Sequence, residues 1–204
     1  MQISFSKQAR LLLKVSFLVT FAESMLVPMY AAFTEKVGGS ILDASIAYGL
    51  FSIATGVVIA LVGTRECFER HTGRFLMAGF LGSVVCDIAY VFVQNKWQLF
   101  AAQVVAGLAS GLIEPAWDAL FTEGIETSST KPWSIWAGGA HLLTGVAAFA
   151  GGLIAAWFSF PALFITMASI DMVAVILCWR GGLGESARAA QPTPVAALVN
   201  EVSM

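Results

Sequence analysis

Six stretches of about 20 residues, each nearly free of charge, take up most of this chain, at 11–33, 41–62, 75–93, 97–121, 136–157 and 160–179. At 1.5 Å per residue an α-helix of that length crosses the hydrocarbon core of a bilayer. Hydrocarbon offers the backbone no hydrogen-bond partner, so a spanning segment must bond to itself as a helix. The expected fold is therefore all-α and integral to the membrane. Of 204 residues, 58% are hydrophobic and 12% charged, with a mean hydropathy of +0.80, whereas soluble domains hold about 45–50% apolar and about 25% charged residues. The chain divides into a cytoplasmic lead at 1–10, a six-helix domain at 11–180 and a tail at 181–204, whose Ala, Pro, Gln and Ser content predicts disorder. The first stretch is no cleaved leader: it exceeds the usual apolar core of about 7–15 residues, contains Glu23, and is followed by five others like it.

The net charge of −2 gives no reason to expect a nucleic-acid partner. The arrangement of the bases is more informative. With both termini in the cytoplasm, Lys7, Arg10, Lys14, Arg65, Arg70, Arg74, Lys131, Arg180 and Arg188 fall on the cytoplasmic side, against Lys36 and Lys96 outside. That is the asymmetry of the positive-inside rule, which orients the chain with both termini inside, and a cytoplasmic (inner) membrane is the expected location. Cys67, Cys86 and Cys178 have neither disulfide-framework nor zinc-site spacing. His71 and His141 are the only histidines, and no serine–histidine, H-E-x-x-H or phosphate-loop motif occurs. The expected partner is thus the lipid bilayer, with no enzymatic chemistry, cofactor or metal.

Traces of a 3+3 inverted repeat run through the six helices, the arrangement from which many transporters build a pathway. The first and fourth helices each carry an acid near a proline, Glu23 with Pro28 and Glu114 with Pro115. The third and sixth each carry one embedded aspartate, Asp87 and Asp171. On the second helix Gly49, Gly56 and Gly63 recur every seven residues, as do Gly138, Gly145 and Gly152 on the fifth. Seven residues is nearly two turns, so each set forms a stripe along one face. Such stripes let membrane helices pack closely, within one subunit or between two.

An ionised side chain costs roughly 2.5–3.5 kcal/mol at a helix centre on insertion scales. Glu23, Asp87, Glu114, Asp118 and Asp171 therefore each need water, a partner or a function. Asp118 follows Glu114 by four residues and shares its face. The bland reading of all five is a protonated carboxyl bonded to a neighbouring helix. His141 is read as a proton relay, as the partner of Glu114, or as a packed polar residue. Trp117, Trp133, Trp136 and Trp157 lie near span ends, where interfacial anchoring is expected. Trp117 also stands between Glu114 and Asp118, where it could border an aromatic or cationic substrate.

The basic loop after the second helix resembles the signature loop of the major facilitator superfamily, G-x-x-x-D-R-x-G-R-R. Glu69, Arg70, Gly73 and Arg74 stand for its acid, first base, glycine and following base, while Gly63 lies further upstream and one residue is inserted after Arg70. The fourth helix is similar to the family's arginine followed by small residues at four-residue spacing, with Gln103 in place of the arginine before Gly107 and Gly111. The resemblance covers 10–180. It implies one six-helix half of a twelve-helix transporter, with helices one and four around the cavity, three and six outside, and helix two of one half against helix five of the other. It thereby singles out Glu23 and Glu114 for the substrate or proton pathway, with Asp118, Trp117 and His141 beside them. Gly49, Gly56, Gly138, Gly145 and Gly152 would lie at a homodimer interface. The implied function is secondary transport of a small solute by alternating access, coupled to protons through the embedded carboxyls. The alternative is a non-transporting scaffold or accessory subunit that pairs with another membrane protein.

Overall fold

A computed structural model describes residues 6–125 and 130–183 of the chain. It contains helices α1 (Lys7–Ser24), α2 (Tyr30–Lys36), α3 (Ile41–Val62), α4 (Glu66–Arg70), α5 (Thr72–Val91), α6 (Lys96–Glu123), α7 (Lys131–Trp157) and α8 (Phe160–Arg180). Among the described residues six spans are long and apolar enough to cross a membrane, with α1 and α2 together forming the first. The second matches its expected bounds residue for residue. The first begins within the expected lead, at Lys7. From residue 184 onward the expected tail lies outside the described residues, whereas Leu183 is buried.

Polar caps define where α1, α3 and α6 begin. Ser6 Oγ accepts the Ala9 N–H at 3.0 Å, and Asn95 Oδ1 accepts from both Trp97 and Gln98 at 3.1 Å. Ser40 and Asp43 form a reciprocal capping box at the start of α3, which satisfies N–H groups that the first turn leaves free. Asp43 also receives the Lys96 ammonium at 3.1 Å, tying the starts of α3 and α6 together.

The two embedded prolines act differently. At Pro28 the first span leaves α-geometry, and a 3₁₀ turn at Val27–Met29 separates α1 from α2. α7 is packed under this break. Gly151 lies so close to the Met25 carbonyl that no Cβ would fit, and Ser24 and Thr144 share a hydroxyl–hydroxyl hydrogen bond of 3.0 Å. Pro115, by contrast, lies within a continuous α6, although its ring denies the Gly111 carbonyl the usual i→i−4 partner.

The packing repeats. α3 lies on α6 as α7 lies on α1, α5 lies on α6 as α8 lies on α1, and α5 and α8 meet each other. The three-helix units are therefore related by exchange of first with fourth, second with fifth and third with sixth span. Because the fourth span runs opposite to the first, the repeat is inverted. Two apolar clusters fill it. One, near the start of α1, is built on Leu12, Leu76, Phe80, Leu120 and Phe121, and the other, at the opposite end, on Phe33, Tyr90, Leu99, Leu163 and Phe164. α3 and α7 are the least buried spans and form the flanks.

Candidate functional site

Two cavities lie one beyond the other along α1 and α6. The first, of about 330 Å³, is lined by residues of α1, α2, α3, α5, α6 and α8 and of the proline break. Glu23, Asp87 and Asp171 contribute carboxyls to its wall, and Gln103, Ser83 and Ser110 contribute neutral polar groups. All three tyrosines of the chain, Tyr30, Tyr48 and Tyr90, line it too. The Tyr30 hydroxyl lies beside the Gln103 side chain without a hydrogen bond of good geometry. Asp87 and Asp171 are 6% and 1% exposed, and their carboxyls face each other. Asp87 Oδ2 and both Asp171 oxygens have no hydrogen-bond donor.

The second cavity, of about 410 Å³, lies towards the basic end of the bundle. Glu23 and Ser110 belong to both walls, so the two spaces adjoin there. Across the second cavity Glu23 faces Glu114, with Asp118 one turn beyond. Trp117 and Trp136 complete the wall, with ring centroids 4.8 Å apart. Trp117 stacks on Phe121 at 4.5 Å and meets Trp133 edge-on at 6.0 Å. The indole N–H groups of Trp117 and Trp136 are buried without acceptors. Neither wall includes a lysine, arginine or histidine. Carboxyls and aromatic faces without a base form surroundings suited to protons or cations rather than anions.

Of the residues singled out in the sequence, Glu23, Glu114, Trp117 and Asp118 come together at the second cavity. His141 does not join them: it is exposed on α7 and lines neither space. Trp117 is 5% exposed and held in an aromatic cluster, a setting distinct from the interfacial anchoring expected of tryptophans at span ends. In the basic loop Glu66–Arg70 form the one-turn helix α4. Its Phe68 packs inward against Phe75 at 5.1 Å, leaving Arg70 on the surface. Gly63 caps the end of α3, while Gly73 and Arg74 fall in the first turn of α5.

The glycines separate into two groups. A Cβ added at Gly49, Gly56, Gly138, Gly145 or Gly152 would meet nothing within 4 Å, so neither stripe touches a neighbour in its own chain. Close approach is made instead by Gly107 and Gly111 of α6, which lie against the Phe51 and Thr55 carbonyls of α3. There Thr55 Oγ1 donates to the Gly107 carbonyl at 3.1 Å.

Sequence reasoning favoured the acids of helices one and four and set Asp87 and Asp171 outside the pathway. The structure brings both aspartates to a cavity wall. Their signal was present, one embedded aspartate on each of two repeat-related helices, but their meeting depends on how α5 and α8 are rotated. The tyrosines carried no comparable signal, since Tyr30, Tyr48 and Tyr90 are far apart along the chain.

Comparison with known proteins agrees with this architecture. The family described as Major Facilitator Superfamily matches residues 12–200. The uncharacterized MFS-type transporter YitZ of Bacillus subtilis (strain 168) is 24% identical over 167 residues, covering 79% of this chain and 99% of that protein. Multidrug resistance protein MdtG of Escherichia fergusonii is 23% identical over 187 residues, covering 88% of this chain but only 46% of that relative's length. Six apolar spans in an inverted repeat, matched over nearly their whole extent, identify an integral, multi-pass membrane protein, and the chain belongs to the major facilitator superfamily.

Proposed function

We propose that this chain is half of a secondary transporter, and that two copies, related by an axis along the membrane normal, enclose a pathway for a small solute. The observation that carries the proposal is the acid-lined pair of cavities meeting at Glu23 on a face the single chain leaves open: Glu23, Glu114 and Asp118 are all exposed. Bare carboxyls facing lipid are costly, and a second copy would cover them while providing the other half of the pathway. Similarity to about half of a multidrug resistance protein, and to a transporter matched over 99% of its length, supports a six-helix unit. The open glycine stripes of α3 and α7 are the contact surfaces, and symmetry makes the α3–α7 contact twice.

The solute is an organic cation of modest size. The indoles of Trp117 and Trp136 offer π-faces, and Glu114 and Asp118 supply the charge. Protons are the coupling ion, exchanged at Glu23 and Glu114 as the paired halves rock between outward and inward openings. The basic end of the bundle is cytoplasmic. Reconstitution into liposomes with an imposed pH gradient tests the reading. Proton-driven movement of aromatic or quaternary amines supports it. A panel of cations that moves no solute and no protons refutes it, and co-purification with a different membrane protein in fixed ratio would identify an accessory subunit instead.

A further inference from the structure

We infer that Asp87 and Asp171 form a second proton site, one proton held between two facing carboxyls, with Glu23 as its outlet. Three observations carry this assignment. The carboxyls come from repeat-related helices that cross, α5 and α8, and they face each other. Both side chains are more than nine-tenths buried, yet three of their four oxygens have no donor. They also form part of the wall of the 330 Å³ cavity instead of closed packing. Two buried carboxylates in contact repel, whereas one shared proton turns the same contact into a strong hydrogen bond. The pair then carries one negative charge and titrates as a unit.

The groups around the pair leave no other source of compensation. α1 contributes Glu23, and α2 contributes Tyr30 at its first position. α3 adds Tyr48, α5 adds Ser83, Cys86 and Tyr90, and α6 adds only the uncharged Gln103, Ala106 and Ser110. α7 contributes nothing to this wall. The groups that bear electrostatically on the pair are therefore acids and weak acids, with no base. Glu23 lines both cavities. In the transfer step the O–H bond breaks at one aspartate and a new one forms on the Glu23 carboxylate. The pair is left with two negative charges, a state stabilised when a cation enters the cavity. This use of the site rests on the proposed proton-coupled transport, but the shared proton does not.

Infrared difference spectroscopy on the full chain in lipid nanodiscs, stepping the pH, tests the site directly. A shared proton gives a protonated-carboxyl band at low frequency. Asp87→Asn and Asp171→Asn should each remove that same band and leave a single acid at higher frequency, while the double replacement abolishes both signals. Bands that persist unshifted in each other's variant mean independent acids and overturn the inference. A measurement on unaltered protein guards against misfolded variants. The apolar reagent dicyclohexylcarbodiimide modifies protonated carboxyls, and mass spectrometry of the peptides bearing this pair should find one adduct, on Asp87 or Asp171 but never both. No adduct at either, adducts at both on one chain, or protection by sodium at constant pH overturns the proton assignment. Parallel transport assays separate the two proposals: the pair's band without proton-coupled flux refutes the transport reading alone, and coupled flux with independently titrating aspartates refutes this inference alone.

Discussion

Leucine at Gly56 and leucine at Gly107 place the same bulk on two different faces, and the structure assigns them opposite consequences. Around Gly56 an added Cβ meets nothing within 4 Å, so the folded chain need not move to accept it. Removing a helical glycine should even stabilise α3 by up to about 1 kcal/mol. Gly107 packs directly on the Phe51 carbonyl, and a Cβ added there would stand 2.8 Å from Ala54 Cβ, so α6 must separate from α3. Overpacking of this kind costs about 1–3 kcal/mol, and the Thr55–Gly107 hydrogen bond is lost with it, at about 0.6 kcal/mol on average in membrane helices. Against the propensity gain, a net loss of about 1–3 kcal/mol remains for Gly107→Leu. In a homodimer joined through the glycine stripes the penalty at Gly56 falls on association instead, and it occurs twice by symmetry. Two clashes of about 1–3 kcal/mol weaken the dimer by about 30-fold to about 10⁴-fold. Chain stability is read by sodium dodecyl sulfate titration of tryptophan fluorescence in bicelles, and association by energy transfer between labelled copies diluted in liposomes. The expected result is a Gly56→Leu chain that folds at least as well as wild type but dissociates, and a Gly107→Leu chain that unfolds early. If Gly56→Leu leaves association unchanged, or destabilises the chain as Gly107→Leu does, the proposed interface is wrong.

Glu23→Gln and Glu114→Gln should each lower proton-driven uptake by tenfold or more with little change in folded yield, since the amide keeps the size and removes the exchangeable proton. His141→Ala, at an exposed position away from both cavities, should leave uptake within about twofold of wild type, as surface changes away from a site usually do. An equal loss of folded protein in the two glutamate variants would assign them to structure. Thr55→Val, which removes the hydroxyl bonded to Phe51 and Gly107, should cost about 0.5–2 kcal/mol in the same unfolding assay. A neutral result would remove that bond from the account of α3–α6 packing. In single-cysteine variants an impermeant maleimide should label position 36 from outside the cell and position 70 only after permeabilisation, and the reverse pattern would invert the proposed topology.

Hydropathy and charge were enough to place six spans, because the cost of charge and of unpaired backbone in hydrocarbon constrains every residue of a spanning segment. The 41–62 span was read residue for residue, and the loop through Glu69, Arg70, Gly73 and Arg74 carried the family resemblance. The rotation of each helix about its axis was far less visible. In soluble proteins an apolar stripe marks the buried face, but lipid is as apolar as a protein interior, so hydrophobicity does not distinguish the two sides of a membrane helix. That is why the seven-residue glycine stripes drew more attention than Gly107 and Gly111, which make the close contact within the chain. It is also why His141 could be placed on the pathway in sequence and yet is exposed away from both cavities. Pro28 and Pro115 look alike in sequence, and only the packing of Gly151 and Thr144 beneath the first distinguishes a broken span from a continuous one. The sequence by itself determined that the chain crosses the membrane six times, where it does so and which acids must be accommodated there. Tertiary structure alone decided that Asp87 meets Asp171 and that Glu23 joins two cavities, because those encounters depend on helix rotation and crossing, which burial in lipid leaves unspecified.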